Sequence, residues 1–176
     1  MKEKDIFAKI VASRYSCRCY SSEPVAESDI DWILEQVRLA PSACNRQPWR
    51  IAVVRPGDEA GRSAVAAAYN REWVRTAPYY IIMCGTPAEA WVRPADGHNH
   101  TDVDVAIATE HLCLAAAAIG LGTCWICNFE PDKLSEGLGL DADTVPVAIV
   151  PVGHPAEGTE APEKKRKPID EILIKR

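Results

Sequence analysis

The 176-residue chain is the length of a single domain, read here as 1–176, with room for a substantial core. A hydrophobic fraction of 47% and a charged fraction of 26%, with no long uninterrupted apolar run, predict a soluble globular protein and exclude a membrane span. The net charge of −5 argues against a general nucleic-acid binder.

The charge is unevenly placed. Residues 1–20 carry five basic and two acidic side chains, and residues 163–176 carry six and three, so two basic ends flank an acidic body. Two readings stay open: solvated tails, or ends that meet in the fold and form an anion site. Seven cysteines are an odd number for a disulfide framework, which fits a reducing cytoplasm. The opening MKEKDIFAKIVASR is charged throughout and lacks the apolar stretch of a secretory leader.

Asp5 to Ser13 reads as a helix with Ile6 and Ile10 toward a core. Pro24 separates it from a second helix, which Ser28-x-x-Asp31 opens as a capping box and which carries Ile30, Ile33, Leu34 and Val37 at helical spacing. Pro41 ends that helix. Arg50 to Val54 is a short strand, and Asp58 to Tyr69 an alanine-rich helix. Residues 77–85, APYYIIMCG, read as a buried strand begun by proline. Residues 86–101 hold Pro87, Pro94 and DGHNH and predict a long surface loop or lid.

Residues 102–119 form the longest helix, apolar nearly all round from Ile107, which predicts burial in a core. GLG at 120–122 caps it. TCWICNF at 123–129 reads as a strand and its exit, Pro131 to Leu138 as a short helix, and VPVAIVPVGHP as a strand ended by Gly153 and Pro155. No strand–GxGxxG–helix unit and no Walker lysine loop is present. An α+β arrangement of helices around a small sheet is expected.

Several polar constellations stand out. Arg14-x-Ser16-x-Arg18 places two guanidiniums and a hydroxyl on one face of an extended segment, which suits a phosphate. The plainer reading is a basic surface turn. Ser42, Asn45 and Gln47 offer donors and acceptors suited to a heteroaromatic edge, or simply to turn capping. Cys124-x-x-Cys127 is half a zinc site or a redox pair by spacing alone, and buried inert thiols by default. His98 and His100 form a loop pair, and His111 lies in the apolar helix. Lys164-Lys165-Arg166-Lys167 is a basic run before Pro168. No G-x-S-x-G elbow is present, which disfavours a hydrolase.

Taken in order, these segments resemble the FMN-dependent nitroreductase family. SRYSCRCYSSEPV is similar to its R-x-S-x-R opening, LAPSACNRQPWRIAVV to its A-P-S-x-x-N-x-Q-P-W segment, and DVAIATEHLCLAAAAIGLGTCWICNF to its long helix and G-L-G-T-C-W-I-G. AIVPVGHP and KKRKPIDEI resemble its closing strand and K-x-R-x-P. The resemblance implies an α+β fold with a mainly antiparallel sheet flanked by helices, and an intertwined homodimer with FMN at each of two interface sites. By motif, Arg14, Ser16, Arg18, Lys164 and Arg166 would hold the ribityl phosphate. Ser42, Asn45 and Gln47 would face the flavin from the partner subunit. Gly122, Cys124 and Trp125 would run along the ring and place a backbone N–H near its N5, with Asn70 as a further polar contact. Cys127 departs from the family's glycine.

The resemblance further implies a ping-pong reaction in which NAD(P)H gives a hydride to the flavin and a nitroaromatic, quinone or similar small acceptor then takes the electrons. No dedicated acid–base side chain is required. Two alternatives stay open: a relative specialised for another substrate, such as a dehalogenase, decided by residues 86–101, and a non-enzymatic flavin-binding or thiol-redox sensor using Cys124 and Cys127.

Overall fold

The computed structural model describes residues 2–175. In chain order the elements are α1 (Glu3–Ser13), α2 (Glu27–Arg38), β1 (Trp49–Val54), α3 (Glu59–Ala68), β2 (Tyr79–Gly85), α4 (Thr101–Ala118), β3 (Gly122–Thr123), α5 (Pro131–Leu138), β4 (Val145–Gly153) and α6 (Ile169–Ile172). Short 3-10 turns occupy Ala43–Asn45 and Glu72–Thr76. The four strands form one antiparallel sheet in the order β1-β2-β4-β3.

The central strand β2 is buried along its whole length. Its alternate residues therefore feed two cores, because successive side chains of a strand point to opposite faces. Tyr79, Ile81 and Met83 pack with Ala148, Val150 and Val152 of β4 under α2 and α4. Tyr80, Ile82 and Cys84 pack with Ile149 under α3 and α5, through Ala64, Val65 and Leu134. An apolar run with no polar alternation is what such a doubly covered strand requires.

α4 buries one face through Asp104, Val105, Ala108, Leu112 and Ala115, while Val103, Ala118 and Ile119 are exposed. The expectation of burial all round therefore holds for one side only. The helix ends as GLG predicts: Gly120 has φ 83°, and the Leu121 N–H donates to the Ala116 carbonyl at 2.9 Å. Among the described residues, no helix is long and apolar enough to cross a membrane.

Three local expectations are corrected. α2 begins at Glu27 after Ala26, so Ser28 lies inside the first turn and caps nothing. α1 contains no buried residue, and Ile6 is exposed. The helix lies on the outside of the chain rather than in a core of its own. The strand expected over 123–129 pairs only through Gly122 and Thr123, with a single later bridge from Ile126 to Ile149. The N-terminal segment pairs with β3 itself: Ser16 bridges Thr123 in parallel, and the Cys17 N–H donates to the Thr123 carbonyl at 2.9 Å. Gly122 permits this approach: a Cβ there would meet Cys17 Cβ and Sγ at 2.8 Å.

Candidate cofactor site

The two basic ends meet. The N-terminal segment continues along the end of β4, with the Ser21 N–H on the His154 carbonyl at 2.9 Å and the Ala156 N–H on the Cys19 carbonyl at 3.0 Å. The chain after β4 returns to Arg14, whose carbonyl accepts a hydrogen bond from the Lys164 ammonium across 150 residues of sequence. Arg14, Lys164 and Arg166 share a hollow of about 580 Å³ with Phe7, Val11 and Glu110. Arg14 also borders a second hollow of about 180 Å³, lined by Tyr15, Gly122, Thr123 and Pro155.

None of these three cations makes an ion pair among the described residues. Partial burial, together with the charges of Arg14 and Arg166, holds the Lys164 ammonium below its ordinary range, with Glu110 opposing. A cluster whose members raise one another's cost is the electrostatic setting for an anion.

The other predicted phosphate contacts lie close by but not all in one hollow. Ser16 is half-buried at its bridge to Thr123, beside Cys124, whose thiol pKa burial pushes up. Arg18 is exposed, and its guanidinium lies 5.9 Å over the Trp73 ring. It lines neither hollow around Arg14. Cys124 is buried, Trp125 half-buried and Cys127 exposed. The buried Trp125 indole N–H has no partner among the described residues. Asn70 is exposed and accepts from Arg75 at 2.8 Å.

The second constellation is a loop of unusual backbone. Cys44, Asn45 and Gln47 have φ of 50°, 54° and 50°, and none is glycine. Left-handed residues with a side chain cost on the order of 1–3 kcal/mol each and persist only where the surroundings fix them. Ser42 supplies one tie, its hydroxyl accepting from the Gln47 N–H at 2.9 Å. The turn-capping expectation is thus met by Ser42. The side-chain amides of Asn45 and Gln47 are exposed, and Gln47 Nε2 donates to Asn45 Oδ1 at 3.1 Å and to the Asn45 carbonyl at 3.3 Å.

Two clamps hold this loop to the fold. At its exit, the Thr86 N–H donates to the Pro48 carbonyl at 2.7 Å. At its entry, the Ala43 N–H donates to Asp104 Oδ1 at 2.8 Å. Asp104 was not among the residues singled out from the sequence. The available signal was a carboxylate one turn into a helix otherwise read as core.

The loop and the basic junction meet different parts of α4. The loop is tied to Asp104 in its first turn, and the junction runs from Glu110 in its middle to Gly122 and Thr123 beyond its C-terminus. Neither hollow around Arg14 is lined by a residue of the 42–47 loop, so one chain does not bring the two constellations into one hollow.

The α+β frame, with its antiparallel four-stranded sheet, is the nitroreductase fold. A nitroreductase family protein of Clostridium difficile superposes with a TM-score of 0.86 at 34% identity, covering 94% of this chain and 95% of that one. The family model "Nitroreductase family" matches residues 11–154. The chain belongs to the nitroreductase family. It is also 28% identical to the FMN reductase [NAD(P)H] of Bacillus subtilis, covering 93% of this chain and 71% of that one. A protein of Desulfovibrio desulfuricans solved in complex with FMN has a TM-score of 0.83 and 27% identity, covering 97% of this chain and 96% of that one.

Proposed function

We propose that the protein is an NAD(P)H-dependent flavin oxidoreductase that holds FMN at two equivalent sites of a homodimer and reduces nitroaromatic, quinone or similar acceptors. The convergence of Arg14, Lys164 and Arg166, drawn from both ends of the chain, carries this reading. The donor set fits the group: unpaired guanidiniums suit a terminal phosphate, and exposed amides suit the carbonyl and nitrogen edge of a flavin ring. Bound FMN would supply the hydride chemistry.

The chain's own residues would bind and orient. Arg14, Lys164 and Arg166 take the phosphate, with Ser16 and Arg18 flanking. Gly122, Cys124 and Trp125 line the ring with backbone and the indole edge, and Asn70 adds an amide. Asn45 and Gln47 come from the partner, with Ser42 holding their loop. This assignment accounts for two constellations that share no hollow in a single subunit. Exposed apolar side chains also support a second copy: Phe7 is 61% and Ile174 87% exposed, with Ile169, Ile172 and Leu173 beside the latter. Seven free thiols fit a cytoplasmic setting.

The thiol-sensor alternative is less well supported. Cys124 is buried with its thiol pushed up by burial, and Cys127 lies at the surface. Such a pair is not poised for exchange, which needs an accessible thiolate. The test is to release the cofactor from purified protein, identify it, and follow NAD(P)H oxidation with menadione or a nitrofuran. FMN and turnover are expected. A colourless protein that neither takes up FMN nor oxidises NAD(P)H overturns the proposal.

A further inference from the structure

We propose that Asp104 is the positioning residue for the amide-bearing loop, fixing through one backbone hydrogen bond where Asn45 and Gln47 present their side chains. The inference rests on the reading that this loop faces the flavin of the partner subunit.

Asp104 is 1% exposed, and its Oδ2 has no hydrogen-bond partner among the described residues. A carboxylate this deep costs free energy unless what it holds repays it. Support of α4 does not account for it, because Asp102 in the same first turn offers its negative charge to the helix N-terminus while staying exposed. The contact that Asp104 makes is the Ala43 N–H at 2.8 Å. Ala43 immediately precedes Cys44, where the chain turns left-handed.

The loop's remaining ties near its tip are internal. The Ser42 hydroxyl takes the Gln47 N–H, and the Ser42 and Ala43 carbonyls take the Asn45 and Arg46 N–H groups. Such ties fix the shape of the turn but not its place on the protein. Place is set by the two clamps, Thr86 at the exit and Asp104 at the entry. Asp104 also stands on α4, whose far end leads to Gly122 and the basic junction. One rigid helix therefore sets the separation between the loop and the phosphate site of its own subunit, and so the geometry of both sites in a symmetric pair.

The experiment compares Asp104→Ala and Asp104→Asn in the full-length protein, by residue-resolved amide exchange and by affinity for FMN and riboflavin. Asp104→Ala removes the acceptor. The Ala43 and Gln47 amides should then exchange about tenfold faster or more while β2 stays protected, and FMN and riboflavin should both weaken by about tenfold. Equal loss for the two ligands excludes a phosphate-side effect, and a β2 that stays protected excludes a general one. Asp104→Asn keeps the size and one acceptor oxygen, so its loop protection and both affinities should stay near wild type. That variant also keeps the proposal testable should the alanine form not fold. Unchanged exchange at Ala43 and Gln47 in Asp104→Ala overturns the proposal, as does loss of both flavins in Asp104→Asn. Faster loop exchange with unchanged affinities supports the positioning role and instead removes the loop from the flavin site.

Discussion

The basic junction and the amide-bearing loop solve opposite problems. The junction is assembled from distant sequence by ordinary extended backbone, and its cost is electrostatic: three cations crowd together with no acidic ion-pair partner among the described residues. The loop is six residues of local sequence with no ionic crowding, and its cost is conformational, in three left-handed side-chain-bearing residues. In both regions the folded chain tolerates a local penalty that a ligand or a neighbour can turn to use. The contrast teaches that a ligand should relieve the junction by adding charge, whereas the loop must be held in advance by the fold.

That comparison can be broken at several points. The largest effect is expected at the junction. Each charged hydrogen bond is worth about 1.5–3 kcal/mol, so Arg14→Ala or Arg166→Ala should weaken FMN roughly tenfold to a hundredfold. Riboflavin, which lacks the phosphate, should bind as it does to wild type. Calorimetric titration of both ligands checks this, and equal loss for both moves the residue away from the phosphate.

Gly122→Ala should cost stability. Its Cβ would stand 2.8 Å from Cys17 Cβ and Sγ, closer than real Cβ contacts allow. Overpacking of this kind costs about 1–3 kcal/mol, read as a lower denaturation midpoint. An unchanged midpoint shows that the N-terminal segment can move away from β3.

The loop should respond in the opposite sense. Cys44→Gly relieves a left-handed residue at φ 50° but adds chain entropy to the unfolded state. The net expectation is a gain of up to about 1 kcal/mol in the flavin-free protein. A loss instead means that the Cys44 side chain contributes packing.

The smallest effect concerns Lys164. Burial and its two basic neighbours depress its pKa, so the folded state sheds a proton more readily than the unfolded state does. Stability from this group is therefore poorest below the depressed value and rises as pH climbs through it toward the ordinary lysine value of 10.5. Arg14→Ala should move the Lys164 titration upward in an NMR experiment on flavin-free protein. No movement means that the guanidinium does not act on the ammonium.

Much of the frame was legible because apolar pattern and terminators agree. Pro131–Leu138 and Val145–Gly153 begin and end where proline and glycine place them. The meeting of the basic ends was open on charge alone, and the Lys164–Arg14 contact decides it. Other features depended on tertiary neighbours. Ser28 carries capping chemistry, yet the helix starts earlier at Glu27. TCWICNF has strand composition, but among the described residues its one bridge beyond Thr123 is Ile126 to Ile149. The left-handed turn was invisible because left-handed backbone is ordinarily signalled by glycine, and none occurs from Ser42 to Gln47. Asp104 heads the segment that resembles the family's long helix, but its role was not legible, because its partner is a backbone N–H that leaves no mark in the sequence.

The central claim is that each flavin site takes its cations from one subunit and its amides from the other. Subunit complementation tests it directly. Subunits carrying Arg14→Ala and Arg166→Ala are paired with subunits carrying Asn45→Ala and Gln47→Ala, and FMN binding by the purified heterodimer is titrated. If the site is completed across the interface, one of the two sites is built wholly from unaltered residues, and half of the sites bind FMN with wild-type affinity. If both sets of residues served a site within their own subunit, every site would be damaged, and the absence of any wild-type-affinity site would contradict the account.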